Sequence, residues 1–324
     1  MKLCFFNRSY WPDFGATGQL LTELAEDLVH HHGCEVSVVA GLPLNRERAA
    51  GGRGWPVRRE WRRGVEIVRC AGTTRATRHF PARALNYGTY FASACLSGLV
   101  VRRPDVVVTL TDPPIIGLAA LLAARRAGAR FVFLCQDIFP EVARVLEDFE
   151  SKTVNRALDR INKFLVARAD RIIALGETMR ERLIVGKHAH PDRVSVIHNW
   201  ADCAAMAPGP KVNAFSTAHD LARKFVVMHA GNLGQSQNLD VLVDAAAMLR
   251  HIDDVVFVFV GDGSRREALE RRARDASTAR RLCRHVHRDP ARERPARESG
   301  RQHRPGNGEA FQQEAAPGYR LRPR

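Results

Sequence analysis

Apolar runs and helical periodicities alternate along most of this chain. The clearest case is residues 224–263, KFVVMHAGNLGQSQNLDVLVDAAAMLRHIDDVVFVFVGDG. An apolar run at 225–228 stops at a loop carrying Gly231 and Gly234. Leu239, Leu242, Val243, Ala246 and Leu249 then recur on one helical face, and a second apolar run at 255–260 ends at Gly261-Asp262-Gly263. The spacing predicts one βαβ unit with glycines at both strand ends. The amino end of the chain has the same layout. A strand at 3–6 leads into a loop at 7–18. A helix follows with Leu20, Leu21, Leu24, Ala25 and Leu28 on one side and Glu23, Glu26 and Asp27 on the other, and then a strand at 34–40.

Between these ends the pattern predicts strands at 65–70, 105–110, 131–135, 171–174 and 194–197. Helices are expected at 81–102, 115–126, 141–148, 153–167 and 176–185. Residues 41–63, rich in Gly and Arg, read as a long mobile loop. Strict alternation of this length implies an α/β protein built on a parallel doubly wound sheet. Such sheets bind ligands outside the carboxyl ends of their strands, so the candidate loops are 10–18, 111–114, 136–140 and 176–178.

Two breaks divide the chain. Residues 199–217 lack periodicity and contain Pro208-Gly209-Pro210, which gives a first domain at 1–200, a linker at 201–223 and a second domain from 224. The pattern fails again after Asp275. Residues 276–324 have no Lys, no Ile, one Val and one Phe, while Arg and Pro dominate. No strand or amphipathic helix is expected there. One reading is a disordered basic tail. The other, which the abrupt change of composition favours, is a shifted reading frame in a GC-rich gene. On either reading the second domain, 224–275, is incomplete.

Charge sharpens this picture. The net charge of the 324 residues is +15. The tail supplies 12 Arg against 5 acids, and residues 43–83 hold 11 Arg against 3 acids. Such a surplus attracts polyanions: nucleic acid, anionic lipid or a pyrophosphate. No nucleic-acid motif accompanies it, so specific binding to nucleic acid is not expected. The seven cysteines are scattered without a C-x-x-C pair, which indicates neither a zinc site nor a disulfide framework. Met1-Lys2 leads straight into the first strand, with no signal peptide pattern. The uncharged run at 85–101, LNYGTYFASACLSGLVV, is too short to span a bilayer. It reads as a core helix, with a helix on a membrane surface as the alternative.

The Gly loops suggest a phosphate-bearing ligand, since glycine lets backbone approach a ligand and a helix N-terminus offers free N–H groups. Five segments carry a resemblance: Pro12-Asp13-Phe14-Gly15-Ala16-Thr17-Gly18, Gln136-Asp137-Ile138-Phe139-Pro140-Glu141, His198-Asn199-Trp200-Ala201-Asp202, Gly231-Asn232-Leu233-Gly234 and Val260-Gly261-Asp262-Gly263-Ser264. In this order, over residues 1 to 275, they resemble the family 4 ("group 1") retaining glycosyltransferases of cell-surface polysaccharide assembly. The resemblance implies the GT-B fold, two Rossmann-like domains, here with the second incomplete.

It further implies a nucleotide-sugar donor held by Gly15, Ala16, Gly18, Gly231, Asn232, Gly234, Gln237, Gly261 and Gly263. Gln136 and Asp137 would be the catalytic residues, with Asp13 and Glu177 on the acceptor side. It implies no cofactor and no metal, a glycan or polyprenyl-linked acceptor, and a cytoplasmic protein in peripheral contact with an anionic membrane. Asp137 reads equally as a helix N-cap, and capping is the default for Glu177. The sequence departs from the family pattern at Ala16, where a second Gly is common, and at Gln136, where His is common. Asn232 and Gln237 replace an Arg and a Lys. The acidic segment that would hold the donor sugar has no counterpart after 275. A dinucleotide oxidoreductase is the rival enzyme class, but neither Gly loop completes G-x-G-x-x-G.

Overall fold

The structure is a computed structural model and describes residues 1–13, 15–43, 57–73, 80–142, 151–201, 203, 208–276 and 282–283. It separates into two compact units. The first comprises Met1–Ala222 with Gly234–Asn238, the second Arg223–Leu233 with Leu239–Arg324.

The first unit is an eight-stranded sheet in the order β3-β4-β2-β1-β5-β6-β7-β8. The strands are β1 (Lys2–Phe6), β2 (Glu35–Ala40), β3 (Val57–Arg62), β4 (Val65–Cys70), β5 (Val106–Thr109), β6 (Arg130–Cys135), β7 (Arg171–Ala174) and β8 (Val194–Val196). All pairs are parallel except β3 with β4. Alternation decides the two faces. Cys4 and Phe6 of β1, with Phe131 and Phe133 of β6, enter one core together with Ile116 and Leu165. Leu3 and Phe5 enter the other core, with Val36, Val38 and Ile67. α1 (Ala16–His30) covers this second face through Leu21 and Ala25. The first face is covered by α2 (Phe80–Val100), α3 (Ile116–Ala127), α4 (Lys152–Arg168) and α5 (Glu177–Lys187), each packed on the next. No helix among the described residues is long and apolar enough to cross a membrane.

The second unit has a parallel sheet of β9 (Phe225–Ala230), β10 (Val255–Val260) and β11 (Leu282–Cys283), in the order β11-β10-β9. Two helices accompany it, α7 (Asp240–Met248) and α8 (Arg266–Asp275), α6 (Ala214–Ala218) lying earlier in the chain. Leu239, Val243, Phe257, Phe259 and Leu269 form its core.

Three expectations need correction, and the expected linker gains a short helix. The stretch expected as a mobile loop contains β3, which pairs with β4 from Val57↔Cys70 to Arg62↔Val65. Its turn is Arg63-Gly64, both at positive φ (45° and 79°), the conformation that suits a two-residue hairpin. Residues 44–56 of that expected loop lie outside the described residues. The linker contains α6, whose Asn213 and Ser216 cap each other reciprocally. The stretch after 275 forms a short strand, β11, where its adjacent Leu282 and Cys283 pair with Phe257 and Val258. Finally, α1 begins at Ala16, inside the loop expected to run to residue 18. Most of the helix expected at 141–148, and the rest of the tail, lie outside the described residues.

Candidate functional site

The carboxyl ends of β1, β5, β6, β7 and β8 bring five loops of the first unit together. After β1 the chain turns through Asn7, Arg8 and Ser9. The Arg8 N–H donates to the Asp112 carbonyl at 2.8 Å, and its guanidinium faces the Asp112 carboxylate at 3.4 Å. The Ser9 hydroxyl donates to the other Asp112 oxygen at 2.6 Å. The Arg8 guanidinium also lies 5.6 Å from the Tyr87 ring centroid. Thus Asp112, from the loop after β5, is the hub of this edge. Sequence reasoning passed over it, although Thr111-Asp112-Pro113-Pro114 stood out as a loop; the signal available was a carboxylate at a strand's carboxyl end.

The loop after β6 sits beside this hub. The Asp137 N–H donates to the Thr111 hydroxyl at 3.2 Å. Desolvation and the neighbouring Asp112 charge raise the Asp137 carboxyl above the ordinary carboxylate range, even though the side chain reaches solvent. Two nearby carboxylates with unequal environments are the arrangement in which one keeps a proton more readily than the other. Gln136 accepts from the Asn199 side-chain amide at 3.4 Å, and the His198 ring meets the Leu175 carbonyl at 2.8 Å. Gln136, Asp137, His198 and Asn199 are therefore held in one region.

Behind this loop lies Lys187, the last residue of α5, with a side chain 1% exposed. Its ammonium donates to the Phe139 carbonyl at 2.9 Å and to Asp159 at 2.7 Å, and reaches Glu141 at 2.9 Å. One cation thus ties α4 and α5 to the loop that carries Asp137.

The other nominated residues of this unit divide. Gly15 caps α1 without a side-chain hydrogen bond, and Ala16 opens the helix. An added Cβ at Gly15 would meet nothing within 4 Å, whereas at Gly18 it would lie 3.3 Å from the Ser9 backbone. Gly18 thus lies at the close approach of α1 to the β1 loop, where a side chain would be tight. The Asp13 N–H closes a turn onto the Tyr10 carbonyl at 3.0 Å. Glu177, in the first turn of α5, is exposed and 3.7 Å from Arg180, as a helix-start residue would be. Trp200 donates from its indole to Glu23 of α1 at 3.2 Å.

In the second unit the two Gly loops are fastened to each other. Gly231 donates to the Val260 carbonyl (2.8 Å), Leu233 to the Asp262 carbonyl (2.9 Å) and Arg265 to the Leu233 carbonyl (2.9 Å). Gly231 and Gly261 have φ of +156° and +145°. An added Cβ would fall 1.8 Å from the Gly231 carbonyl oxygen at Gly261, and 2.4 Å from that of Leu233 at Gly263. Beyond Gly234 comes a single 3-10 turn, Gln235–Gln237, before α7. The first turn of α7 carries Asp240, whose carboxylate meets Arg265 at 2.6 Å. His229, at the end of β9, has a buried Nε2 without a hydrogen-bond partner among the described residues.

The family model for the glycosyl transferase 4-like domain matches residues 15–200, more than half of the chain. Among curated proteins, the chain is 30% identical over 183 residues to the probable glycosyltransferase WbjE of Pseudomonas aeruginosa, covering 55% of this chain and 45% of that protein. It is 24% identical over 291 residues to the protein named as colanic acid biosynthesis glycosyl transferase WcaI of Escherichia coli (strain K12), covering 84% of this chain and 69% of that one. The chain thus spans less than half the length of the first relative. Among solved structures, Anabaena HepE in complex with UDP-glucose superposes with a TM-score of 0.59 at 17% identity, over 88% of this chain and 68% of that one. Sucrose-phosphate synthase from Thermosynechococcus elongatus superposes with a TM-score of 0.61 at 13% identity, over 88% and 70%. At these identities the likeness is one of fold, that of the GT-B proteins.

Proposed function

The chain belongs to the glycosyl transferase 4-like family, and from that premise we propose that it serves the transfer of a sugar from a nucleotide-sugar donor to a glycan acceptor in cell-surface polysaccharide synthesis. The acceptor is lipid-linked, the anomeric configuration is retained, and the protein works at the cytoplasmic face of the membrane. The names of both curated relatives support sugar transfer, that of WcaI supports the pathway class, and the UDP-glucose bound to HepE supports a uridine-type donor.

The observation that carries the reading is the carboxylate pair Asp112 and Asp137 at the mouth of the sheet, within the stretch that matches the family. On the acceptor side, Asp137 and Gln136 receive and orient the attacking hydroxyl, with Asp13 and Glu177 at the periphery. On the donor side the diphosphate must have its departing charge neutralised for the glycosidic bond to break. The amides of Asn232 and Gly234 have no partner among the described residues, and His229 Nε2 is a further donor beside Gly231. The family resemblance assigns Ala16 and Gln237 to the donor as well. The leaving phosphate takes the acceptor's proton, so this scheme needs no glycosidase-like pair of carboxylates bracketing the sugar.

Calorimetric titration of the 324-residue chain with nucleoside diphosphates, uridine diphosphate first, tests the donor assignment. Gly234 sits at φ −98°, ψ 177°, a conformation open to any residue, so Gly234→Val adds bulk without backbone strain. It should abolish the binding heat. A parent chain that binds none of these nucleotides, or a variant that binds as well as the parent, overturns the assignment. Residues 276–324 offer no acidic segment for the donor sugar, so turnover should fall far below an ordinary rate of about 1–10³ s⁻¹; a rate within that range refutes the shifted-frame reading.

A further inference from the structure

The Arg8 side chain lies in room made for it. Gly41, just beyond β2, donates its N–H to the Arg8 carbonyl at 2.9 Å, and a Cβ there would fall 2.9 Å from the Arg8 Cγ. A larger residue at 41 would push the guanidinium away from Asp112. The Tyr87 ring stands against that guanidinium, within reach of a cation–π contact. Tyr87 is itself held on both sides. The Thr73 hydroxyl donates to the Asn86 side-chain oxygen at 2.8 Å, and the Thr73 N–H to the Thr89 hydroxyl at 3.0 Å. One turn on, the Tyr90 hydroxyl donates to the Val39 carbonyl at 3.1 Å. The end of β2, the loop after β4 and α2 thus place Arg8 before any ligand arrives.

Its bonding is nevertheless incomplete. Only Nε reaches Asp112, at 3.4 Å, and the terminal nitrogens have no hydrogen-bond partner among the described residues. A guanidinium that served only to tie two loops would turn its fork to the carboxylate, because the bidentate pair is the stronger one. Asp112 is likewise half used. Each of its oxygens accepts one side-chain bond, from Arg8 and from Ser9, and a carboxylate oxygen can accept two. Both side chains reach solvent, Arg8 at 19% and Asp112 at 27%. Open donors therefore stand beside open acceptors, next to the loop that carries Asp137. Charge narrows what could bind them. Burial opposes the Arg8 charge, but Asp112, Tyr87 and Asp13 outweigh it and hold the guanidinium above its ordinary value. The next cation, Arg69, is spent on Glu60 and on the carbonyls of Gly41 and Trp11. Among the described residues, Arg8 is outnumbered by Asp13, Asp112 and Asp137.

We propose that Arg8 and Asp112 form a subsite for a neutral pyranose of the acceptor glycan and select it against uronic acids and phosphorylated sugars. A hydroxyl both donates and accepts, a guanidinium only donates and a carboxylate only accepts. Two adjacent ring hydroxyls can each take a bond from Arg8 and give one to Asp112. A sugar carboxylate would also find the guanidinium, but it would meet Asp112 and Asp13 with no second cation to offset them. Asp112 is then the repulsive element that turns a general attraction into a choice between ligands. This deepens the reading of a glycan acceptor and rests on it.

The test is saturation-transfer NMR on the full chain, with methyl glucoside and methyl galactoside as neutral probes and methyl glucuronide as the anionic one. The neutral glycosides should receive saturation and the glucuronide little or none. Arg8→Gln should weaken neutral binding about tenfold, the loss of roughly one charge-assisted hydrogen bond. Asp112→Asn keeps the shape and removes the repulsion, so glucuronide binding should rise about tenfold or more and overtake that of the neutral probes. Structural damage does not mimic this gain of a ligand. Urea midpoints identify a variant that fails to fold, and the parent's own choice among the probes decides the matter if both variants do. A parent that binds the glucuronide as well as the neutral glycosides, or binds no probe, overturns the proposal. So does a folded Asp112→Asn variant that still refuses the glucuronide, or a folded Arg8→Gln variant that binds neutral glycosides as the parent does. No nucleotide is present, so failure here leaves the donor assignment standing, and a chain that binds neutral glycosides but no nucleoside diphosphate overturns the donor assignment alone.

Discussion

Replacing Lys187 by Met removes a buried cation while preserving the length of the side chain. The ammonium then no longer meets Asp159, Glu141 and the Phe139 carbonyl. Breaking a fully buried ion pair costs about 3–5 kcal/mol. Here the partners are not fully buried: the Asp159 and Glu141 side chains are 31% and 46% exposed, and Asp159 keeps Lys163 at 2.8 Å. Water can therefore reach both carboxylates, which reduces the cost to about 2 kcal/mol. The orphaned carbonyl adds about 1 kcal/mol. A loss of about 3 kcal/mol should show as a lower urea midpoint with an unchanged slope.

The pH dependence supplies a second check. Burial alone would raise the Asp159 carboxyl, but hydrogen bonds from Lys163 and Lys187 outweigh it and hold it below its ordinary value. A depressed carboxyl stabilises the fold above its unfolded value of about 3.9 and loses that contribution as the pH falls through the folded value. The gap between parent and Lys187→Met should accordingly be full at neutral pH and shrink in acid. A gap below about 0.5 kcal/mol at neutral pH, or one that widens in acid, refutes the reasoning.

Two further outcomes follow from the same geometry. Asp137 is raised rather than depressed, so its ionised form costs stability: the favourable state is complete below about pH 3.9 and is lost as the pH rises through the folded value. Asp137→Asn should thus leave the chain slightly more stable at neutral pH and equal in strong acid; a destabilised variant at neutral pH by urea titration contradicts the assigned cause. Arg62→Gln with Arg63→Gln strands Glu26, whose side chain is 10% exposed, and should cost about 1–3 kcal/mol. Hydrogen exchange should localise the loss to β3 and α1, and a loss spread evenly over the first unit contradicts the assigned pairing.

The alternation of strands and helices was legible because buried parallel strands write themselves as short apolar runs. β3 was not, for it lies at the sheet edge and reads Val-Arg-Arg-Glu-Trp-Arg, which looks like a charged loop. Its arginines looked free because the carboxylate that neutralises two of them, Glu26, lies about forty residues upstream on another element. Distance in sequence hid the site hub in the same way. Asp112 meets Arg8 and Ser9 across more than a hundred residues, and no local spacing encodes that. Lys187 read as an ordinary basic residue in a helix's last turn; only the convergence of α4 and the β6 loop makes it a buried clamp. Gln136 and Asp137 were nominated because a strand's carboxyl end limits where ligand groups can stand and because their loop resembles the family's.

The glycines of the second unit carry a different lesson. In sequence all five of Gly231, Gly234, Gly261, Gly263 and the amide at Asn232 suggest room for a phosphate. Geometry separates them. The Gly231 amide is spent on Val260, and Gly261 and Gly263 are demanded by carbonyl oxygens of the facing loop. A side chain at either of the last two would force the loops apart whether or not a ligand exists, so loss of binding in such a variant would say nothing about the donor. The Asn232 and Gly234 amides have no such duty among the described residues. They alternate with the bonded amides of Gly231 and Leu233, which hold the loop on both sides of the Asn232 N–H and ahead of the Gly234 N–H. Amides held in place before a ligand arrives lose little entropy when an anion binds. The fastening of one Gly loop to the other and the anion binding proposed for it are therefore complementary: the bonded amides set the direction of the free ones.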